Sequence, residues 1–162
     1  LKPDAAQAAV AERFEDLARA LAASNEPSLL GRWFGARREA PPGLYVHGDV
    51  GRGKTMLMDM FFADVDVQPK KRIHFHAFMQ DVHHRLHAAR QSAADAIAPV
   101  VRALASEARL LCLDEMQVTD IADAMIIGRL FEGLIAHGTT IITTSNAANA
   151  PPPRSTTCAS VT

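Results

Sequence analysis

The chain has 162 residues, 48% of them hydrophobic, which is one domain's worth of sequence with enough apolar material for a sizeable core. Lys plus Arg (17) nearly cancels Asp plus Glu (18), so net charge gives no argument for a polyanion partner, and 2 cysteines exclude a disulfide framework. No apolar run approaches the ~20 residues of a membrane span and no charged-then-apolar leader opens the chain, so the expectation is a soluble protein of a reducing, cytoplasmic compartment.

Residues 1–42 read as an N-terminal helix and a basic connector. Val10, Phe14, Leu17 and Leu21 recur at helical spacing between Asp4 and Ala23, which predicts an amphipathic helix packed by one face. Asp4 is a suitable N-cap, with Gln7 three residues on, and Asn25 and Pro27 end the run. From Leu29 to Pro42 the chain is basic and broken by Gly and Pro, with Arg32, Trp33, Phe34, Arg37 and Arg38 close together. Such a mixture suits a membrane surface or a single strand of nucleic acid, but a solvated linker with one tucked aromatic has the same composition.

Residues 43–146 carry the chemistry. Gly43–His47 is strand-like, Met56–Phe62 is helix-like, and between them Gly48, Asp49, Val50, Gly51, Arg52, Gly53, Lys54 and Thr55 complete the pattern G-x-x-x-x-G-K-[ST]. Strand, loop and helix in that order make a phosphate cradle. Glycines let the backbone approach closely, N–H groups converge on the anion, and the helix N-terminus adds partial positive charge. In that cradle Lys54 reaches the β- and γ-phosphates of a nucleoside triphosphate and Thr55 holds Mg²⁺.

Asp64 to Arg72 reads as a polar loop ending in Lys70, Lys71 and Arg72, and Ile73–Phe78 alternates with period two, as a strand does. Met79–Arg90 and Ser92–Ser106 look helical, the second with Pro99 as a break. His74, His76, His83, His84 and His87 crowd this stretch, and His83 with His87 has two-ligand spacing; no persuasive third ligand accompanies them, so a polar interface is the preferred expectation over a metal.

Arg109–Leu113 is an apolar run that ends in Asp114 and Glu115. A strand buried on both faces belongs to a parallel sheet, and ligands collect at the carboxyl ends of such strands. Asp114 is then the Mg²⁺-orienting acid and Glu115 the general base for an attacking water. Thr119 or Asp120 caps a helix reaching Ala136, stopped by Gly138. Thr139–Thr144 is β-branched and apolar enough for another buried strand, ending in Ser145 and Asn146; Asn146 is the candidate that contacts both γ-phosphate and water. The alternation of strand and helix predicts an α/β, three-layer α/β/α phosphate-loop fold with a parallel sheet.

The segments Gly43–Phe62, Lys71–His83 and Leu111–Met125 together resemble the ZapE/AFG-type AAA+ ATPases. The resemblance covers nearly everything up to Asn146, with the leading helix and connector fitting loosely. It implies an AAA+ core of sheet order 5-1-4-3-2, ATP and Mg²⁺ as cofactors, and a homo-oligomer that remodels a protein partner. For bacterial members that partner is an FtsZ-type division protein, and a peripheral place at the inner membrane is a further implication. On the matching positions, Gly48, Gly51, Gly53, Lys54 and Thr55 bind phosphate and metal, Asp114 and Glu115 are the acidic pair and Asn146 the sensor. Met116 stands where the family usually has an aromatic residue.

Residues 147–162 depart from that pattern: Ala147 to Thr162 shows no apolar periodicity and reads as disordered, or as the product of a shifted reading frame. Strand 5 and the lid are then absent and strand 1 becomes a sheet edge. An ATPase of low activity alone is the expected function. A nucleotide-gated module of the helicase-loader type, with Arg37, Arg38 and Lys70–Arg72 toward DNA, and an inert fragment are the alternatives; nucleic acid is the less expected partner.

Overall fold

The structure is a computed structural model, and it describes residues 5–25, 40–49, 53–91, 94–146 and 156–161. Asp4, the connector from Leu29 to Arg38, and Val50, Gly51 and Arg52 of the loop lie outside the described residues.

Five strands form one sheet: β1 (Gly43–Gly48), β2 (Lys70–His74), β3 (Leu110–Asp114), β4 (Thr140–Ser145) and β5 (Thr156–Val161), in the order β2-β3-β4-β1-β5. Every pairing is parallel. The helices are α1 (Ala5–Asn25), α2 (Lys54–Asp64), α3 (Phe75–Ala89), α4 (Ile97–Glu107) and α5 (Ile121–Ala136). Because strand side chains alternate between faces, the sheet feeds two cores. Leu110 and Cys112 of β3 join Leu44, Val46 and Ile142 under the buried faces of α1 and α2. Leu111 and Leu113 join Tyr45 and Ile141 under α3, α4 and α5. The result is the three-layer α/β/α arrangement expected from the alternation of elements.

Local chemistry explains most boundaries. Val10, Phe14, Leu17 and Leu21 are all buried, and Phe14 lies 4.9 Å from Phe61 of α2 between ring centroids. Asp120 caps α5 by accepting from the Ala122 amide at 2.8 Å, and Gly138 takes a φ of 88° just beyond its end. Pro99 does not break α4. It sits in the first turn, where its missing N–H has no intrahelical carbonyl to meet, and Asp95 accepts from the Ile97 amide at 3.0 Å.

Two expectations are corrected. Strand β2 is Lys70–His74, not Ile73–Phe78, and the helix begins at Phe75. The period-two reading of Ile73–Phe78 coincided with a helical one: Phe75, Phe78, Met79, Val82 and Leu86 are buried on one side of α3. The basic triplet is thus an edge strand whose cations each find oxygen. The Lys70 amine reaches the Phe62 and Val65 carbonyls at 2.6 and 3.0 Å and lies 4.9 Å from the Phe62 ring centre, while Lys71 meets Glu107 at 3.3 Å.

The second correction concerns the tail. Strand 5, expected to be absent, is present: Thr156–Val161 pairs in parallel with β1, from Gly43↔Thr156 to Gly48↔Val161. The disorder expected for residues 147–162 therefore does not hold for 156–161, and β1 is an interior strand, not an edge. Parallel pairing is made by backbone N–H and C=O groups, so it needs an adjacent unpaired edge more than it needs an apolar pattern in the incoming segment.

Candidate functional site

The carboxyl ends of β1, β3 and β4 meet on one side of the sheet, because the parallel register sets His47 beside Ser145 and Leu113 beside Thr143. Gly48 is the last residue of β1, at φ 156°. Gly53 precedes α2 at φ 82°, a left-handed conformation that side chains rarely adopt, and a Cβ placed there would come within 3.2 Å of Gln7 Nε2 of α1. Lys54 opens the helix, is 7% exposed, and donates from Nζ to the carbonyls of Gly48 and Asp49, both at 2.7 Å. Burial lowers its pKa from the ordinary lysine value, opposed in part by the charge of Asp49. The ammonium is thus held inside the loop at the positive end of a helix, where it adds to the attraction for an anion. Thr55 follows it, exposed, in the first turn of α2.

At the end of β3, Asp114 is buried and Glu115 is exposed. Glu115 takes φ 58°, the one positive φ at a non-glycine among the described residues. The turn that carries it is stitched to β4: the Glu115 amide donates to Thr144 Oγ1 at 3.0 Å, the Met116 amide to the Thr144 carbonyl at 2.6 Å, and Ser145 Oγ to the Met116 carbonyl at 2.9 Å. Neighbouring acids are therefore sent in different directions, one into the sheet end and one outward. Asn146 follows directly, exposed, just past β4.

Arg72 of β2 completes this group. Its Nε donates to Asp114 Oδ2 at 2.7 Å and its Nη2 to Asp114 Oδ1 at 3.3 Å, while Nη1 pairs with Asp59 of α2. Burial pulls the guanidinium pKa down, but hydrogen bonds and charge from Asp114 and Asp59 outweigh it and leave the pKa raised. Sequence reasoning missed Arg72, Asp59, Thr144 and Ser145. The only local signal was the position of Arg72 immediately before the histidine-containing segment; its partner Asp114 is 42 positions away.

The predicted residues Gly48, Asp49, Gly53, Lys54, Thr55, Asp114, Glu115 and Asn146 thus share one end of the sheet. Hydroxyl and carboxylate oxygens, from Thr55 and Asp114, are the hard donors Mg²⁺ takes, and the buried ammonium suits a polyphosphate, so the residues present fit both groups. Of the histidines from His74 to His87, His74 ends β2 and the others are dispersed along α3, where His76 meets Gln80 at 3.2 Å and His83 meets Asp123 of α5 at 2.9 Å. Among the described residues no group of three His, Cys, Asp or Glu is arranged to hold a metal ion, and no helix is long and apolar enough to cross a membrane. Arg129 pairs with Asp95 at 3.1 Å, both exposed.

A G-x-x-x-x-G-K-[ST] sequence between β1 and α2, an acidic pair at the end of β3, and sheet order β2-β3-β4-β1-β5 define the AAA+ class of α/β proteins. Solved structures agree on the fold: AMPPCP-bound DnaA from Aquifex aeolicus (TM-score 0.51, 21% identity, 82% of this chain and 37% of that one) and C. elegans PCH-2 (TM-score 0.53, 15% identity, 93% and 40%). The AFG1-like ATPase family profile matches residues 1–153, and the chain belongs to that family. It is 37% identical over 157 residues to the cell division protein ZapE of Escherichia coli strain K12, across 90% of this chain and 42% of ZapE. It is 49% identical over 116 residues to the lactation elevated protein 1 homolog B of Danio rerio, across 65% of this chain and 23% of that protein. The chain therefore spans less than half the length of these curated relatives.

Proposed function

We propose that the chain binds ATP with Mg²⁺ and hydrolyses it slowly, as the nucleotide-binding core of an ATPase that remodels or regulates a protein partner. The observation that carries this reading is Lys54: a buried ammonium at the start of α2, donating into the loop backbone, on the same sheet end as Asp114 and Glu115. Loop N–H groups and Lys54 would hold the polyphosphate. Thr55 and Asp114 would hold Mg²⁺, which supplies charge neutralisation at the β- and γ-phosphates when bound. Glu115, exposed at the end of β3, would take a proton from water, and Asn146 would orient it.

Slow turnover is part of this reading. Phosphoryl transfer depends on positive charge at the γ-phosphate, and an arginine supplied for that purpose is worth about 10³–10⁵ in rate. Among the described residues Arg72 is held by Asp114 and Asp59, and Arg129 makes an exposed pair with Asp95. The reading of the partner as an FtsZ-type division protein, reached by a homo-oligomer of the full-length protein at the inner membrane, draws support from the division role in the printed name of the E. coli relative. The loader-type alternative loses part of its basis, since Lys70, Lys71 and Arg72 are all bound to protein oxygens.

The test is binding of a fluorescent ATP analogue with Mg²⁺ to the 162-residue chain and to Lys54→Ala. Saturable binding that Lys54→Ala abolishes is the expected result. A folded wild-type chain that binds no nucleotide would overturn the proposal.

A further inference from the structure

Arg72 divides one positive charge between two carboxylates of different exposure. The Asp114 side chain is 11% exposed, the Arg72 side chain 18% and the Asp59 side chain 60%. Both oxygens of Asp114 are engaged by the same guanidinium, from Nε and Nη2, which fixes the rotamer of the acid and offsets much of its charge. In so buried a place salt and water screen that effect weakly. A divalent cation brought to Asp114 therefore meets a carboxylate already shared with a cation. Asp59 takes a share of the same guanidinium from α2, the helix that also begins with Lys54 and Thr55.

Resting on the reading of Asp114 as the acid that faces Mg²⁺, we propose that Arg72 is a positioning residue and internal counter-cation: it aims Asp114 and sets the divalent-cation affinity of the site, with Asp59 tuning it. A purely structural tie among β2, β3 and α2 makes a different forecast. Removing either Arg72 or Asp59 from a structural tie loosens the site and weakens metal binding in both cases. A counter-cation makes the two changes act with opposite sign. Without Arg72, Asp114 offers its full charge to the metal; without Asp59, Arg72 gives more of its own charge to Asp114.

The experiment is a Mn²⁺ titration, followed by electron paramagnetic resonance, of the 162-residue chain saturated with a non-hydrolysable ATP analogue. The wild type is compared with Arg72→Gln, Arg72→Lys and Asp59→Asn, each checked for folding by circular dichroism and for nucleotide binding in EDTA. The expected result is a Mn²⁺ Kd about tenfold lower in Arg72→Gln and about two- to threefold higher in Asp59→Asn, with Arg72→Lys within about twofold of wild type. Shifts of the same sign in Arg72→Gln and Asp59→Asn, or no shift in Arg72→Gln, overturn the proposal while nucleotide binding in EDTA stands. If Arg72→Gln fails to fold, Asp59→Asn decides against Arg72→Lys: an unchanged or tighter Kd in Asp59→Asn overturns it. A folded wild-type chain that binds no nucleotide even with Mg²⁺ or Mn²⁺ present removes the role of Asp114 and this inference with it.

Discussion

The Glu115 amide donates to the hydroxyl of Thr144 at 3.0 Å, so the residue after the acidic strand end is held by the neighbouring strand. With φ at 58° it stays in a left-handed conformation that costs a side-chain-bearing residue about 1 kcal/mol. Glu115→Gly should relieve that strain and raise stability by about 0.5–1 kcal/mol, read as a higher urea midpoint. Glu115→Gln should keep nucleotide binding and lower turnover by about 10²–10⁴-fold. A fall in stability with glycine would show that the side chain makes compensating contacts.

Two glycines of α5 separate packing from propensity. A Cβ on Gly133 would come within 2.8 Å of Val101 Cγ2 and 2.9 Å of Cγ1, so α4 and α5 approach each other through that position. Gly133→Ala should destabilise by about 1–3 kcal/mol through overpacking. Gly128 has nothing within 4 Å of its Cβ position, and Gly128→Ala should stabilise by about 0.5–1 kcal/mol. Thermal melts of both variants check the pair; equal effects would mean that the α4–α5 contact yields.

Cys112 gives a pH dependence with a definite sign. Burial pushes its thiol from 9.0 up to about 12, with a smaller opposing pull from Arg72. Between those values the unfolded chain releases a proton that the folded one keeps, so this group makes stability fall as pH rises from about 9 to about 12. Denaturation midpoints across that range should drop more for wild type than for Cys112→Ala. At pH 8 the thiol should resist alkylation until the chain is unfolded, as mass mapping of the Cys112 peptide would report.

The pairing of β5 with β1 predicts the effect of truncation. A chain ended at Ser155 lacks Thr156–Val161 and leaves the outer backbone groups of β1 unpaired. It should melt at lower temperature and aggregate at concentrations where the 162-residue chain stays monodisperse in light scattering. Unchanged melting and scattering would show that β5 adds nothing to the sheet.

Where a motif lay in contiguous residues, it could be read from the sequence. Gly48 to Thr55 matches the G-x-x-x-x-G-K-[ST] pattern by local spacing, and Asp114 with Glu115 stands out by ending a wholly apolar strand. Misreadings arose where two periodicities agreed over a short span, as at Ile73–Phe78, or where the pattern was faint, as at Thr156–Val161. Six residues cannot tell a strand from a helix start when burial on both sides of the sheet is unknown.

What the sequence by itself determined is the family and the alternation of strands and helices that brings the motif residues to one end of a parallel sheet. Only the tertiary structure decided that Arg72 holds Asp114 and Asp59 together, that Thr144 steers Glu115, and that β5 closes the free side of β1. The reason is physical. Local propensity acts over a few residues, whereas a charge shared between strands, or a backbone edge waiting for a partner, depends on which distant segments the fold makes neighbours.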